Sequence, residues 1–147
     1  MKEVTLRISR ELKTCNLLLI SIGLIYLIFG FLKFFPSLSP AEAIASQTIN
    51  RLTFNFISSN TSIVLLAIWE TGIGVFLLLH KFTKAILILA LIHMLFTFTP
   101  LFLMPEATFS SASYTPTLLG QYILKNIIIV AAIVSQLQRK HLNYVKS

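Results

Sequence analysis

Four apolar runs occupy most of this 147-residue chain and constrain its fold more than any other feature. Each run is long enough, at about 1.5 Å per helical residue, to cross a hydrocarbon core about 30 Å thick. A single span must be a helix, because lipid offers no hydrogen-bonding partners to the backbone. The sequence therefore predicts an all-α integral membrane four-helix bundle, a single membrane domain of residues 1–147. Its predicted spans cover about residues 16–35, 62–79, 85–104 and 118–137.

The composition fits a chain that lies mostly in lipid. Hydrophobic residues make up 56% of it and charged residues 12%, whereas soluble domains carry about 25% charged residues. This balance argues against a soluble enzyme, a disordered segment and a nucleic-acid-binding module, and makes the lipid bilayer the expected partner. The single cysteine, Cys15, excludes an internal disulfide, a paired-cysteine redox motif and a cysteine-based zinc site. We predict no catalytic or metal-binding residues, and expect that the chain alone is not an enzyme.

The basic residues predict the orientation. They precede the first span, lie in the short turn between spans two and three, and follow span four: Lys2, Arg7, Arg10, Lys13, Lys81, Lys84, Arg139, Lys140 and Lys146. The two longer connections contain only Arg51. Because cytoplasmic loops carry the excess of Lys and Arg, both termini and the short turn are expected in the cytoplasm. The two longer connections are then expected to face outward.

The first outward connection carries the signals of a helix start. In Ser39-Pro40-Ala41-Glu42, Ser is the N-cap, Pro takes the first helical position and Glu follows the cap by three residues. Residues of the apolar face follow at near-helical spacing: Ile44, Thr48, Ile49, Leu52 and Phe56. We predict a short amphipathic helix over about residues 40–56, either packed as a lid on the bundle or lying among lipid headgroups. Thr115-Pro116 likewise predicts the start of the fourth span.

Four ionisable residues fall within the predicted spans: Lys33, Glu70, His93 and Lys125. Each costs about 2.5–3.5 kcal/mol to insert, so each needs an explanation. Counted from the outward ends, Glu70 lies about 12 Å deep and Lys125 about 13 Å deep. The matched depths predict a Glu70–Lys125 pair. Lys33 lies close to the outer end of the first span, where its side chain can extend to the interface.

These residues allow three interpretations: an outward-facing ligand pocket, a structural clamp between helices, or a site of proton transfer. The predicted pocket residues are Lys33, Glu70, His93, Gln121, Tyr122, Lys125 and Asn126. On the first span, one helical stripe holds Gly23, Tyr26, Gly30 and Lys33. By itself, His93 fits an interior histidine with satisfied hydrogen bonds, a hydrogen-bonding group of the pocket, or a metal or haem ligand.

The segment Gly30-Phe31-Leu32-Lys33-Phe34-Phe35-Pro36 resembles the FG-x-x-KFFP segment of DoxX-like membrane proteins, including the related group catalogued as domain of unknown function 417. Other short segments resemble the same group, in the same order: Ser39-Pro40-Ala41-Glu42, Trp69-Glu70 with Gly72 and Gly74, Phe98-Thr99-Pro100, and Gly120-Gln121-Tyr122 leading to Lys125-Asn126. The resemblance runs from about residue 15 to residue 135.

This resemblance implies a multi-pass protein of the bacterial inner membrane with both termini inside. Some DoxX-like proteins are subunits of thiosulfate:quinone oxidoreductase or quinol oxidase systems, and others associate with thiol-redox and superoxide-detoxifying proteins. It therefore implies an accessory or quinone-associated subunit of a membrane redox or stress-response system, with a quinone as the candidate cofactor. The alternatives are a structural or assembly protein whose buried charges clamp helices, and a small proton-coupled transporter that uses Glu70. Dithiol chemistry is not expected, because the chain has no cysteine pair.

Overall fold

Helices account for nearly all of the described chain. The computed structural model describes the backbone of residues 2–35, 38, 42–110 and 115–145, and the side chains from residue 17 to residue 139 within those ranges. The helices are α1 (Lys2–Leu32), α2 (Glu42–Leu52), α3 (Ser59–Leu78), α4 (Thr83–Phe96), α5 (Pro100–Leu103), α6 (Pro105–Thr108) and α7 (Leu118–Val145).

Three helical segments of the described chain are long and apolar enough to cross a bilayer: Ser59–Leu78, Thr83–Leu103 and Leu118–Arg139. A shorter apolar helix covers Leu17–Leu32. Large apolar side chains on these segments are exposed, among them Leu24, Ile28, Leu65, Leu95 and Ile128. In water such a surface would be unfavourable, whereas in a bilayer it contacts lipid tails. The prediction of an all-helical membrane protein is confirmed at this level.

A proline interrupts the second of these segments. Pro100 has no backbone N–H, so it cannot donate to the Phe96 carbonyl, which instead accepts from the Thr99 N–H over 3.1 Å. The helix α4 therefore ends at Phe96, and a tight turn leads into α5, which begins at Pro100. In that turn the Phe98 N–H donates to the Leu95 carbonyl over 3.2 Å. The break lies one turn beyond His93.

The long helices pack in a ring, with α1 along α3, α3 against α4, α4 against α7 and α7 back against α1. Their shared interior contains a cluster of apolar side chains: Leu19, Ile22, Tyr26, Ile73, Leu77, Leu87, Ala90, Met94 and Ile133. The inward face of α7 includes Ile123, Ile133 and Gln136. Gln121 and Lys125, which were predicted to line a pocket inside the bundle, are both exposed instead.

The helices α1 and α3 lie in close contact because two glycines face the opposing backbone. A Cβ atom added at Gly30 would lie 2.5 Å from the Thr71 nitrogen, and one added at Gly74 would lie 2.5 Å from the Leu27 nitrogen. Atoms cannot approach so closely, so both positions depend on a missing side chain. Small residues allow such approaches between helices in lipid, where packing drives association.

The first connection contains α2, which packs against α3 and α5 as a cover on the bundle. It lies within the predicted range of residues 40–56, but Phe56 falls beyond its end and is 94% exposed. The predicted cap at Ser39-Pro40 lies outside the described residues. Arg51 joins α2 to the rest of the protein by donating to the Leu103 carbonyl.

The start of α7 differs from the prediction at Thr115-Pro116. Pro116 pairs with Phe109 in an isolated antiparallel bridge, and the Thr117 N–H donates to the Thr108 carbonyl over 2.9 Å. The helix begins two residues later, where the Thr117 hydroxyl accepts a hydrogen bond from the Gly120 N–H over 3.2 Å. Thr117 thus performs the capping role that the sequence pattern assigned to Thr115.

Replacing Gly74 by Ala is expected to destabilise the protein by about 1–3 kcal/mol, because the added methyl group must push α1 away from α3. The matched control is Gly72→Ala in the same helix, where an added Cβ has no neighbour within 4 Å. This control should be neutral or stabilising by up to about 1 kcal/mol, since Ala is the better helix former. Denaturant unfolding in detergent micelles measures both. Equal effects of the two variants would contradict the close contact.

Candidate functional site

A buried ion pair joins Lys33 to Glu70. The Lys33 Nζ lies 2.5 Å from Glu70 Oε2, and the two side chains are only 5% and 9% exposed. Lys33 follows the last residue of α1, and its side chain runs back along that helix, so that Nζ also lies 3.4 Å from the Phe29 carbonyl. Helical side chains lean toward the N-terminus, which carries the ammonium group about one turn deeper than its own Cα.

The second oxygen of Glu70 faces His93 of α4. Glu70 Oε1 lies 3.4 Å from His93 Nε2, and the His93 side chain is 11% exposed. On the other side of the ring, His93 Nδ1 lies 3.1 Å from the Tyr26 hydroxyl. That hydroxyl also lies 2.8 Å from the Ala90 carbonyl, to which it can donate. We call Tyr26, Lys33, Glu70 and His93 the buried network.

Glu70 and His93 lie near the middle of their helices, whereas Lys33 follows the end of α1. Glu70 is about 17 Å along α3 from Ser59 and about 12 Å from Leu78, and His93 is about 15 Å from either end of the Thr83–Leu103 segment. The buried network joins three helices, since α1 supplies Tyr26 and Lys33, α3 supplies Glu70 and α4 supplies His93. Each charged atom has a partner of opposite charge or a hydrogen-bonding group, as burial at low dielectric demands.

The pairing predicted between Glu70 and Lys125 is wrong. Glu70 pairs with Lys33, whereas Lys125 is exposed and its ammonium group lies 4.9 Å from the centre of the Tyr122 ring. The prediction rested on matched depth, which says nothing about the direction in which a residue points around the helix. Lys33 also turns inward to the carboxylate, so its expected extension to the interface is not what the structure shows.

Six of the seven predicted pocket residues fall into two groups. Lys33, Glu70 and His93 come together in the buried network. Gln121, Tyr122 and Lys125 lie exposed on α7, and we call these three the α7 polar group. The Gln121 side chain donates to the Pro116 carbonyl over 3.3 Å, in the segment just before α7.

Asn126 lies between these two groups. Its side-chain amide donates to the Thr97 hydroxyl over 3.0 Å, and Thr97 follows His93 by one helical turn. This bond joins α7 to the break between α4 and α5. Asn126 therefore supports the helix that carries His93 without contacting the buried network in any bond that the structure records.

Tyr26 is the site residue that the predicted pocket set left out. It shares the stripe of Gly23, Gly30 and Lys33 on α1, and its side chain is among the largest that are fully buried. A tyrosine two helical turns before a buried lysine was the available signal. The role of Tyr26 depends on its contact with His93 of α4, and a pattern within one span cannot show a contact between two helices.

The buried network is suited to holding charge and protons inside the bundle. Among the described residues, no group of three or more His, Cys, Asp or Glu side chains could hold a metal ion. His93 is instead occupied on both ring nitrogens, by Glu70 and Tyr26. Of its three interpretations, the geometry favours an interior histidine whose ring nitrogens have partners.

Replacing Lys33 by Met is expected to cost about 3–5 kcal/mol, because it leaves the Glu70 carboxylate buried without a cation. The double variant Lys33→Met/Glu70→Gln should regain most of that loss, since no uncompensated charge remains. The control is Glu106→Gln, which removes an exposed pair with Arg51 at 3.6 Å and should change stability by about 0–1 kcal/mol. Unfolding in micelles measures all three, and equal losses in the single and double variants would contradict the coupling.

Comparison of the chain with protein-family models, with curated proteins and with solved structures finds no match in any of the three. The family expected from the short motifs therefore stays a resemblance. What the protein does must be inferred from its own residues and their packing.

Proposed function

We propose that this protein is an accessory subunit that acts by assembling with a redox or stress-response protein in the bacterial inner membrane. In this proposal it is a DoxX-like protein with four spans and both termini in the cytoplasm, and it catalyses no reaction alone. The location and the partner class rest on the resemblance, and the orientation rests on the distribution of Lys and Arg. The three apolar segments support the membrane assignment.

One observation favours the assembly role over a ligand pocket: the polar side chains of the buried network have their hydrogen-bond and charge partners within the bundle. Lys33 and His93 both turn to the Glu70 carboxylate, and all three side chains are at most 11% exposed. A pocket for a small ligand needs polar groups that point into free space. Here the polar groups point at each other and join α1, α3 and α4, which supports the interpretation as a clamp.

The fourth span of this proposal is the apolar part of α1. Leu17–Leu32, the part of α1 whose side chains the structure describes, is apolar and covers about 24 Å of helix. The helix continues without a break from Lys2, so its basic N-terminal part leads directly into the span.

The assembly role predicts a protein neighbour on the lipid-facing surface. A photoreactive amino acid can be placed at an exposed position of each long helix, at Ile28, Leu65, Leu95 and Ile128. Illumination of native membranes should give a protein adduct from one face and only lipid adducts from the others, because a partner covers one side. Mass spectrometry should identify a membrane redox or stress-response protein. Lipid adducts alone at all four positions would contradict the proposal.

A quinone-associated role is the second candidate, and the α7 polar group favours it. The Lys125 ammonium lies over the Tyr122 ring and has no hydrogen-bond acceptor in the part of the chain that the structure describes. An ammonium donor and an aromatic ring beside an exposed apolar helix are groups that can bind a carbonyl-bearing, lipid-soluble ring. In the proposed orientation, Lys125 lies about 10 Å from the outer end of α7.

Lys125→Met tests this second candidate, because it removes the donor and keeps the apolar stem. Protein purified gently from its own membrane is extracted with organic solvent, and the extract is examined by absorbance and mass spectrometry. The wild type should retain a quinone that Lys125→Met loses by about tenfold, the effect of roughly 1.4 kcal/mol of lost binding. The matched control is Lys84→Met, an exposed lysine near the start of α4. A quinone content unchanged by Lys125→Met would contradict the assignment.

A further inference from the structure

The positions of Tyr26, Glu70 and His93 allow two arrangements of protons, and they differ by one proton. The Tyr26 hydroxyl has one hydrogen and two acceptors within reach, the Ala90 carbonyl at 2.8 Å and His93 Nδ1 at 3.1 Å. It can donate to only one of them at a time. The acceptor to which the hydroxyl donates determines whether His93 Nδ1 carries a hydrogen.

In the first arrangement, the tyrosine hydroxyl donates to the Ala90 carbonyl. Its oxygen then faces His93 Nδ1 as an acceptor, so Nδ1 must carry a hydrogen. His93 Nε2 lies 3.4 Å from Glu70 Oε1, where two unprotonated atoms would direct their lone pairs at each other at low dielectric. A proton therefore belongs on one of these two atoms, either on Nε2 as an imidazolium or on Oε1 as a carboxylic acid.

In the second arrangement, the hydroxyl donates to His93 Nδ1, which is then unprotonated. The single hydrogen of the neutral ring lies on Nε2 and points to the Glu70 carboxylate. The Ala90 carbonyl loses little, because it belongs to α4 and has its own helical partner. Each polar atom keeps a partner, and the group as a whole has one proton fewer than in the first arrangement.

We infer that Glu70 and His93 together form a binding site for one proton within the bundle, and that the Tyr26 hydroxyl turns from His93 Nδ1 to the Ala90 carbonyl when this proton binds. The proton comes from water and leaves to water, and no covalent bond other than N–H or O–H changes. The inference does not depend on the partner or the quinone of the proposed function.

The groups that face His93 from the neighbouring helices are compatible with the binding and release of one proton. From α1, Lys33 holds the other Glu70 oxygen at 2.5 Å, and Tyr26 holds Nδ1. From α3, Glu70 is the one ionisable side chain that contacts the ring within the described chain. From α7, Asn126 reaches Thr97, and Lys125 stays exposed. The added proton thus lies on a group with a single carboxylate and one neighbouring cation.

The test is a titration of the histidine ring nitrogens by magic-angle-spinning NMR. The full chain is labelled with ¹⁵N-histidine and reconstituted in lipid vesicles, and His93 is assigned by its absence from His93→Gln, which keeps His80 and His141. Between pH 9 and pH 5, Nδ1 of His93 should change from an unprotonated to a protonated signal in a single one-proton step. An Nδ1 that stays in one state over this range, whichever state it is, overturns the inference.

Two carboxylate variants localise the proton. Glu70→Gln removes the charge that faces Nε2, so the step should move to lower pH by at least about one unit, a tenfold weaker proton affinity, or be lost. Glu106→Gln removes an exposed carboxylate and should leave the step in place. A step that is the same in Glu70→Gln and in the wild type overturns the inference. The wild-type titration decides independently if Glu70→Gln fails to fold.

Discussion

The ion pair between Lys33 and Glu70 is the contact on which the rest of the structure depends. Either charge alone would cost about 2.5–3.5 kcal/mol at membrane depth, and more where no water reaches it. Their 2.5 Å contact allows both to remain inside the bundle. The contact in turn requires α1 and α3 to lie close together, which the bare backbones at Gly30 and Gly74 permit. Glycine packing and charge pairing are therefore two parts of one interface.

From this interface, polar contacts extend to α4. His93 of α4 reaches Glu70 of α3 and Tyr26 of α1, so directional bonds fix the positions of these three helices relative to each other. The helix α7 packs against α1 and α4 with apolar side chains such as Ile133, and its Asn126 amide donates to the Thr97 hydroxyl just beyond the end of α4. The buried network therefore belongs to α1, α3 and α4, and α7 closes the ring of helices around it.

The sequence predicted an all-helical chain and the positions of Glu70 and His93 along their helices, because both follow from distances along one chain. The length of an apolar run and the rise per residue suffice to place Glu70 and His93 near the middle of their helices. The prediction of Lys125 as the partner of Glu70 was wrong for a physical reason. Depth counting uses Cα positions, and it placed Lys33 at the membrane edge although its side chain carries the ammonium group a turn deeper.

The sequence also did not predict which face of α7 packs against the bundle. Along that span, polar residues were expected to point inward, because lipid normally excludes them. Lys125 lies exposed instead, with its ammonium group over the Tyr122 ring and so toward the start of the helix. A flexible stem of four carbons makes that position tolerable where a glutamate would not be, since it carries the charge toward the interface.

The contrast between the two lysines explains why the interior and the surface support different functions. Lys33 is neutralised by Glu70, and the buried network has no polar atom aimed at free space. Within the hydrogen bonds of that network, a proton is the species that can be exchanged without displacing a side chain, as the proposed proton site requires. Lys125 instead keeps an exposed ammonium group on α7, beside the Tyr122 ring. A ring-shaped ligand or a second protein can reach that ammonium group from outside the bundle, whereas the Lys33–Glu70 pair is closed to both.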